Sequence, residues 1–253
     1  MKKHIPNILT LMNLFCGCIA IVFAMENQLE MAALFVFLGI VFDFFDGLAA
    51  RLLKVQSALG LQLDSLADVV TSGVVPGIVM FKLFHLASPN WYTWDSVTTN
   101  ESLIVWKDIF ASGLPLAGFL ITLAAAYRLA KFNIDEEQAT SFIGLPTPAN
   151  ALFVMSLPLI LAYQENDAIN QIIVNQWFLL IITILSAIIM NARLPLFALK
   201  FKSFSFKDNA VRYTFLLFSL VLLIVLKFAA LPLIILLYIA LSFIAGTFFK
   251  KAI

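Results

Sequence analysis

Residues 31–84 read MAALFVFLGIVFDFFDGLAARLLKVQSALGLQLDSLADVVTSGVVPGIVMFKLF. The runs 31–52 and 59–84 are each long enough to cross a bilayer, which takes about 20 mostly apolar residues. A short polar turn separates them. Asp43 and Asp46 lie toward the end of the first run, Asp64 and Asp68 early in the second. An aspartate at mid-span costs about 2.5–3.5 kcal/mol, so four unpaired ones would cost on the order of 10 kcal/mol. Mutual repulsion would add to that. Arg51 and Lys54 are too few to neutralise four carboxylates, and hard divalent cations prefer carboxylate oxygen. The spacing agrees. Asp43 and Asp46 are i, i+3, and Asp64 and Asp68 are i, i+4, so each pair shares a helix face. Counted from residue 55, Asp46 and Asp64 are equally distant and Asp43 and Asp68 nearly so. An antiparallel hairpin therefore brings all four together, roughly two to three turns below the inner surface. A two-metal site about 3.5–4 Å across suits such a cluster. The plain alternative, aspartates solvating helix ends, accounts for one or two such groups and poorly for four at matched depths.

The rest of the chain is equally apolar. Of its 253 residues, 62% are hydrophobic and 12% charged, against about 25% charged in a soluble domain. Further apolar runs at 8–25, 109–130, 147–164, 174–191, 212–228 and 231–249 bring the expected spans to about eight. The stretch 211–249 is too long for one span, and its interruption at Lys227–Pro232 predicts a hairpin. The expectation is an all-α polytopic membrane helix bundle, residues 1–253 forming one domain. With the N-terminus inside, Lys82, Lys107 and Lys227 alone of the 16 basic residues fall on the outer side. Lys and Arg collect in cytoplasmic loops, so both termini and the acidic site are expected to be cytoplasmic in a cell inner or plasma membrane. The first run is long and lacks a small-residue cleavage site, and is read as a mature span. Cys16 and Cys18 read as helix packing rather than a disulfide or metal pair. His4 and His85 receive no chemical role. Trp91, Tyr92 and Trp94 suit an outer aromatic belt. Lys200 to Lys207 alternates basic and aromatic residues, as an interfacial stretch beside anionic headgroups does; no nucleic-acid partner is expected.

Small residues accompany the acids. Gly47 and Ala50 follow Asp46, and Gly60 precedes Asp64. They allow close helix packing or the approach of a flat nucleotide or pyrophosphate. Taken together, Asp43-Phe-Phe-Asp46-Gly47-Leu-Ala-Ala50-Arg51, eight residues, and Gly60-Leu-Gln-Leu-Asp64-Ser-Leu-Ala-Asp68 have the form DxxDGxxAR(x8)GxxxDxxxD. Residues 43–68 thereby resemble the signature of the CDP-alcohol phosphotransferases at all its defining positions. The opening Ile5-Pro6-Asn7-Ile-Leu-Thr10-Leu-Met-Asn13, the stretch Tyr127-Arg128-Leu-Ala-Lys131-Phe-Asn133 and Gly144-Leu-Pro146-Thr-Pro148 are similar to the phosphatidylserine synthases of that family. The resemblance covers roughly residues 5–150.

The resemblance implies that Asp43, Asp46, Asp64 and Asp68 bind magnesium or manganese, two ions in all, with Asp68 also accepting a proton. It implies that Gly47, Arg51 and Ser57 contact a CDP-lipid donor, CDP-diacylglycerol, and that Pro6, Asn7 and Thr10 border the same pocket with Ala50 and Gly60. Direct displacement would then pass the phosphatidyl group to an alcohol. Arg128 and Lys131 are positive-inside anchors on physics alone; the resemblance makes them contacts for the carboxylate of L-serine. Glycerol phosphate or inositol phosphate would be the alternative acceptors, and these would favour additional Arg or Lys. A cation transporter with an acidic intramembrane site is the non-enzyme alternative, but transport does not require Gly47, Ala50, Arg51 and Gly60. Homodimers are common in the family.

Overall fold

The computed structural model describes residues 4–87, 114–134, 142–196 and 206–248. These residues are helical apart from short turns and one ladder, in which Phe142–Ile143 (β1) pairs antiparallel with Pro195–Leu196 (β2). Helix α1 is Ile5–Met25 and α2 is Leu29–Leu52. Helix α3 runs over Ala58–Leu86, with Val69–Val74 wound as π-helix. Helix α4 is Leu114–Ile134, α5 Thr147–Tyr163, α6 Asp167–Ile173 and α7 Gln176–Asn191. Helices α8, Phe206–Leu226, and α9, Ala230–Phe248, follow. Trp91, Tyr92, Trp94 and the stretch Lys200–Ser205 lie outside the described residues.

The first two turns are closed alike. Asn27 (φ 59) and Lys54 (φ 54) are left-handed, and the next residue reaches back to a carbonyl five positions earlier. Gln28 N–H bonds Phe23 O at 2.9 Å, and Val55 N–H bonds Ala50 O at 3.0 Å. Such closures satisfy carbonyls that a helix end would otherwise leave bare. Ser57 then opens α3, its hydroxyl accepting the Gly60 N–H at 3.1 Å, a cap worth about 1 kcal/mol.

Small residues set the packing of α1, α2 and α3. Gly17, Ala20 and Ala24 of α1 are buried, as are Ala32, Ala33, Val36 and Gly39 of α2. Without side chains in the way, backbones approach closely, which drives helix association where lipid offers no hydrophobic gain. Large apolar side chains such as Ile8, Phe15, Val22 and Phe37 point outward. A Cβ on Gly17 would lie 2.5 Å from Thr71 Oγ1, and one on Gly39 would lie 2.7 Å from Thr71 Cγ2. Cys16 is buried in this packing and Cys18 is exposed; both are free thiols.

The π-turn of α3 precedes Pro76, which has no N–H to give. The Thr122 hydroxyl of α4 donates to Gly73 O at 3.0 Å, and the Thr71 hydroxyl donates to Asn13 O of α1 at 3.1 Å. Irregular backbone at membrane depth is tolerated where protein groups satisfy it. The segment before α5 obeys the same rule. Gly144 (φ 76) donates to Leu194 O at 3.0 Å, and Leu145 donates to Ile189 O at 3.1 Å, so α5 starts inside the bundle. Pro148 falls in its first turn, as the sequence implies.

Among the described residues, five helices are long and apolar enough to cross a membrane, or six when α6 and α7, bent by 63°, count as one span. Length and composition alone therefore do not confirm the expected eight. Helices α5 and α7, of 17 and 16 residues, fall short of that length by themselves. One of the five, Arg212–Phe243, reverses at left-handed Lys227 (φ 49). The rings of Phe215 and Tyr238 lie 5.7 Å apart, where a continuous helix would separate them by about 35 Å. The hairpin expected there is present. The chain is an integral membrane protein.

Candidate active site and metal centre

The α2–α3 hairpin brings carboxylate oxygens of Asp43, Asp64 and Asp68 within 4.8 Å of one another. Asp64 Oδ1 is buried without a hydrogen-bond partner, and Asp68 is 8% exposed. Clustered, bare carboxylate oxygens in a buried place are the donor set of a hard divalent cation. These residues fit a metal.

Asp46 stands apart from that triad. Its Oδ2 accepts the Thr10 hydroxyl, and its side chain lines a neighbouring cleft. Three residues of helix leave a rotation of about 60° between Asp43 and Asp46, enough to aim one into the triad and the other across to α1.

Two polar residues of the site carried no assigned role in the sequence reading. Asn13 Nδ2 donates to Asp68 Oδ1 at 3.2 Å, and Thr71 holds the Asn13 backbone. The available signal was an amide inside the otherwise apolar first span, a costly placement that marks function by default. At the C-terminal end of α4, Asn133 Nδ2 donates to Ser65 Oγ at 2.9 Å, which fixes α4 beside Asp64. Arg128 is 9% exposed, its Nε makes no hydrogen bond, and it lies close enough to Asp68 to interact electrostatically. Lys131, one turn nearer the helix end, is half-buried.

On the other side of Asp46 and Asp64, a cleft of about 460 Å³ opens between α1, α2 and the start of α3. Its walls include Pro6, Asn7, Thr10, Gly47, Ala50, Ser57 and Gly60. These are the expected donor contacts except Arg51, which is exposed and donates through Nε to Gly47 O at 2.9 Å. A Cβ on Gly47 would meet only the Arg51 guanidinium, at 3.9 Å. Gly47 is therefore not required for helix packing; its bareness keeps the cleft wall open. At Gly60 a Cβ would lie 3.2 Å from Ser57 Oγ and 3.4 Å from Asn7 Oδ1, so this wall is tight. The volume lies within the range of small-molecule sites, about 300–1,000 Å³.

Comparison with known proteins bears on the same residues. A family model described as CDP-alcohol phosphatidyltransferase matches residues 3–189. The CDP-diacylglycerol--serine O-phosphatidyltransferase of Bacillus subtilis (strain 168) is 35% identical over 150 residues, covering 58% of this chain and 70% of that protein. The protein of the same description from Helicobacter pylori (strain J99) is 32% identical over 152 residues, 59% of this chain and 55% of its own. That of Saccharomyces cerevisiae is 30% identical over 161 residues, 61% of this chain and 53% of its own. The match thus spans about half the length of the latter two.

Proposed function

This chain belongs to the CDP-alcohol phosphatidyltransferase family, and from that premise we propose that it transfers the phosphatidyl group of CDP-diacylglycerol to the hydroxyl of L-serine, giving phosphatidylserine and CMP. The observation that carries the reading is the convergence of Asp43, Asp64 and Asp68 between a nucleotide-sized cleft and a buried arginine. The names of the relatives support serine as acceptor. So does the charge: Arg128 is the one buried cation among the described residues, where a phosphate-bearing acceptor would favour several.

In this mechanism Pro6, Asn7, Thr10, Gly47, Ala50, Ser57 and Gly60 receive the cytidine and pyrophosphate, and Arg51 at the rim donates to phosphate. The acyl chains remain in the bilayer. Asp43, Asp64 and Asp68, joined by Asp46, would hold two magnesium or manganese ions, which when bound offset the charge of the attacked phosphate and the departing CMP. Arg128 grips the serine carboxylate, with Lys131 adding positive charge one turn away. Asn13 occupies Asp68 Oδ1 and leaves Oδ2 to take the serine hydroxyl proton. The hydroxyl oxygen attacks the phosphorus that carries diacylglycerol. The pyrophosphate bond breaks, CMP leaves with the bonding pair, and the proton on Asp68 passes to water. No phospholipidated enzyme intermediate forms.

The whole chain acts as one membrane domain, with both termini and the cleft on the cytoplasmic side. The family resemblance also implies a homodimer, which crosslinking in native membranes tests. The decisive assay gives purified protein CDP-diacylglycerol with labelled serine, glycerol 3-phosphate or inositol phosphate in turn. Serine should yield phosphatidylserine and CMP in equal amounts. Chelator should abolish the reaction, and magnesium or manganese should restore it. Product with glycerol 3-phosphate and none with serine overturns the acceptor. Metal flux into proteoliposomes without CMP release overturns the enzyme reading.

A further inference from the structure

Three buried polar residues that the transfer described above does not use, Ser72, Thr147 and Asn150, lie on the π-turn of α3 and on α5, which pack against each other. Ser72 is 0% exposed, and Thr147 and Asn150 are each 1% exposed. Ser72 Oγ, Thr147 Oγ1 and both Asn150 Oδ1 and Nδ2 are buried without a hydrogen-bond partner, as is Arg128 Nε. Buried polar atoms are nearly always paired. Elsewhere in this bundle hydroxyls find carbonyls of their own helix: Thr183 donates to Leu179 O at 2.8 Å and Ser242 to Tyr238 O at 2.7 Å. Ser72 sits in the π-turn and Thr147 at the first position of its helix, so the ordinary escape is not taken at either.

Their placement is specific. The π-turn of α3 packs against both α4 and α5, and it begins directly after Asp68. The start of α5 is drawn into the bundle by the Leu145–Ile189 hydrogen bond. Asn191 Nδ2 donates to Ala124 O at 3.1 Å, which puts that end of α7 one helical turn deeper than Arg128. The start of α5 also carries no side-chain cap, unlike α3, α6 and α7, which Ser57, Asn166 and Asn175 cap. An uncapped helix start attracts an anion through its N–H groups and dipole.

We infer that Asn150, with Thr147 and Ser72, forms the floor of the acceptor pocket and selects an α-amino acid by its paired charges. This deepens the proposed function and rests on it. Asn150 Nδ2 and the Thr147 hydroxyl donate to the carboxylate beside Arg128, while Asn150 Oδ1 and Ser72 Oγ accept from the ammonium. Neutral amides and hydroxyls around a single arginine suit a zwitterion, which brings no net charge. A phosphate monoester would leave the two acceptor oxygens facing its own oxygens. The acceptor hydroxyl then points toward Asp68.

The test is the Michaelis constant of each substrate in Asn150→Leu, a replacement of similar volume that removes both polar atoms. The KM for serine should rise about tenfold or more, with the KM for CDP-diacylglycerol within twofold of wild type. Thr147→Val should show the same split to a smaller degree, and is read alone if Asn150→Leu does not insert. Ethanolamine, which keeps the ammonium and lacks the carboxylate, should compete with serine more weakly and lose less affinity than serine in the variant. A purely structural role would raise both Michaelis constants or lower kcat alone, and that result overturns the inference. So does an unchanged serine KM in a variant that binds donor normally. Wild-type protein that forms no phosphatidylserine overturns the acceptor assignment and this pocket together; the wild-type arm and the variant arm thus separate the two failures.

Discussion

Asp68 has two oxygens, and Asn13 decides which of them is free. With Oδ1 held by the amide at 3.2 Å, the other oxygen is the one to which the proposed mechanism gives the proton. Asp68→Asn keeps an oxygen ligand and removes the proton acceptor. It should bind CDP-diacylglycerol within a few-fold of wild type while kcat falls by about 100-fold or more. Near wild-type turnover in that variant would assign the base to another group. The aspartates were legible because two spacings, i, i+3 and i, i+4, on facing helices leave few alternatives. Asn13 was not legible as a partner. A neutral amide in an apolar run says that something polar is near, and Asp68 lies on a helix two turns of chain away. The division of Asp46 from the triad was equally hidden, since it depends on Thr10 reaching across from α1.

Three helices meet at Thr71 with nothing to spare. Gly39 of α2 would bring a Cβ to 2.7 Å from Thr71 Cγ2 and 2.8 Å from Asn13 Oδ1. Overpacking of this kind costs about 1–3 kcal/mol, and here the groups that must move are those that hold Asp68. Gly39→Ala should therefore lower the thermal unfolding midpoint in detergent and reduce kcat for phosphatidylserine formation by about tenfold or more. Unchanged stability together with unchanged kcat would show that the seam has slack. Sequence periodicity located α1, α2 and α3 because each is one long apolar run with small residues at helical spacing. The π-turn escaped it: Pro76 announces a missing donor, but where the extra residue is absorbed depends on Thr122 of another helix. The same limit applies to α5, whose apolar run was plain while the buried loop before it depends on carbonyls of Ile189 and Leu194.

At the scale of the molecule, the proposed orientation, read from the basic residues, turns the acid-lined cleft toward the cytoplasm. Gln56, in the α2–α3 turn, and Glu165, between α5 and α6, are both exposed. A cysteine at Gln56 should react with a charged maleimide only from the cytoplasmic face, and one at Glu165 only from outside. The reverse pattern would invert the bundle and its active site. Hydropathy recovered the membrane character and the Lys227 hairpin but does not by itself fix the number of spans, because composition cannot tell where an apolar run bends, as between α6 and α7, or reverses, as at Lys227. The two native thiols have a bearing on that experiment. Thiolate is the reactive form, and it needs water to exist. Cys16 is sealed among helices and Cys18 faces the acyl chains, so a water-borne reagent finds neither. The unaltered protein is therefore expected to be its own blank for cysteine scanning.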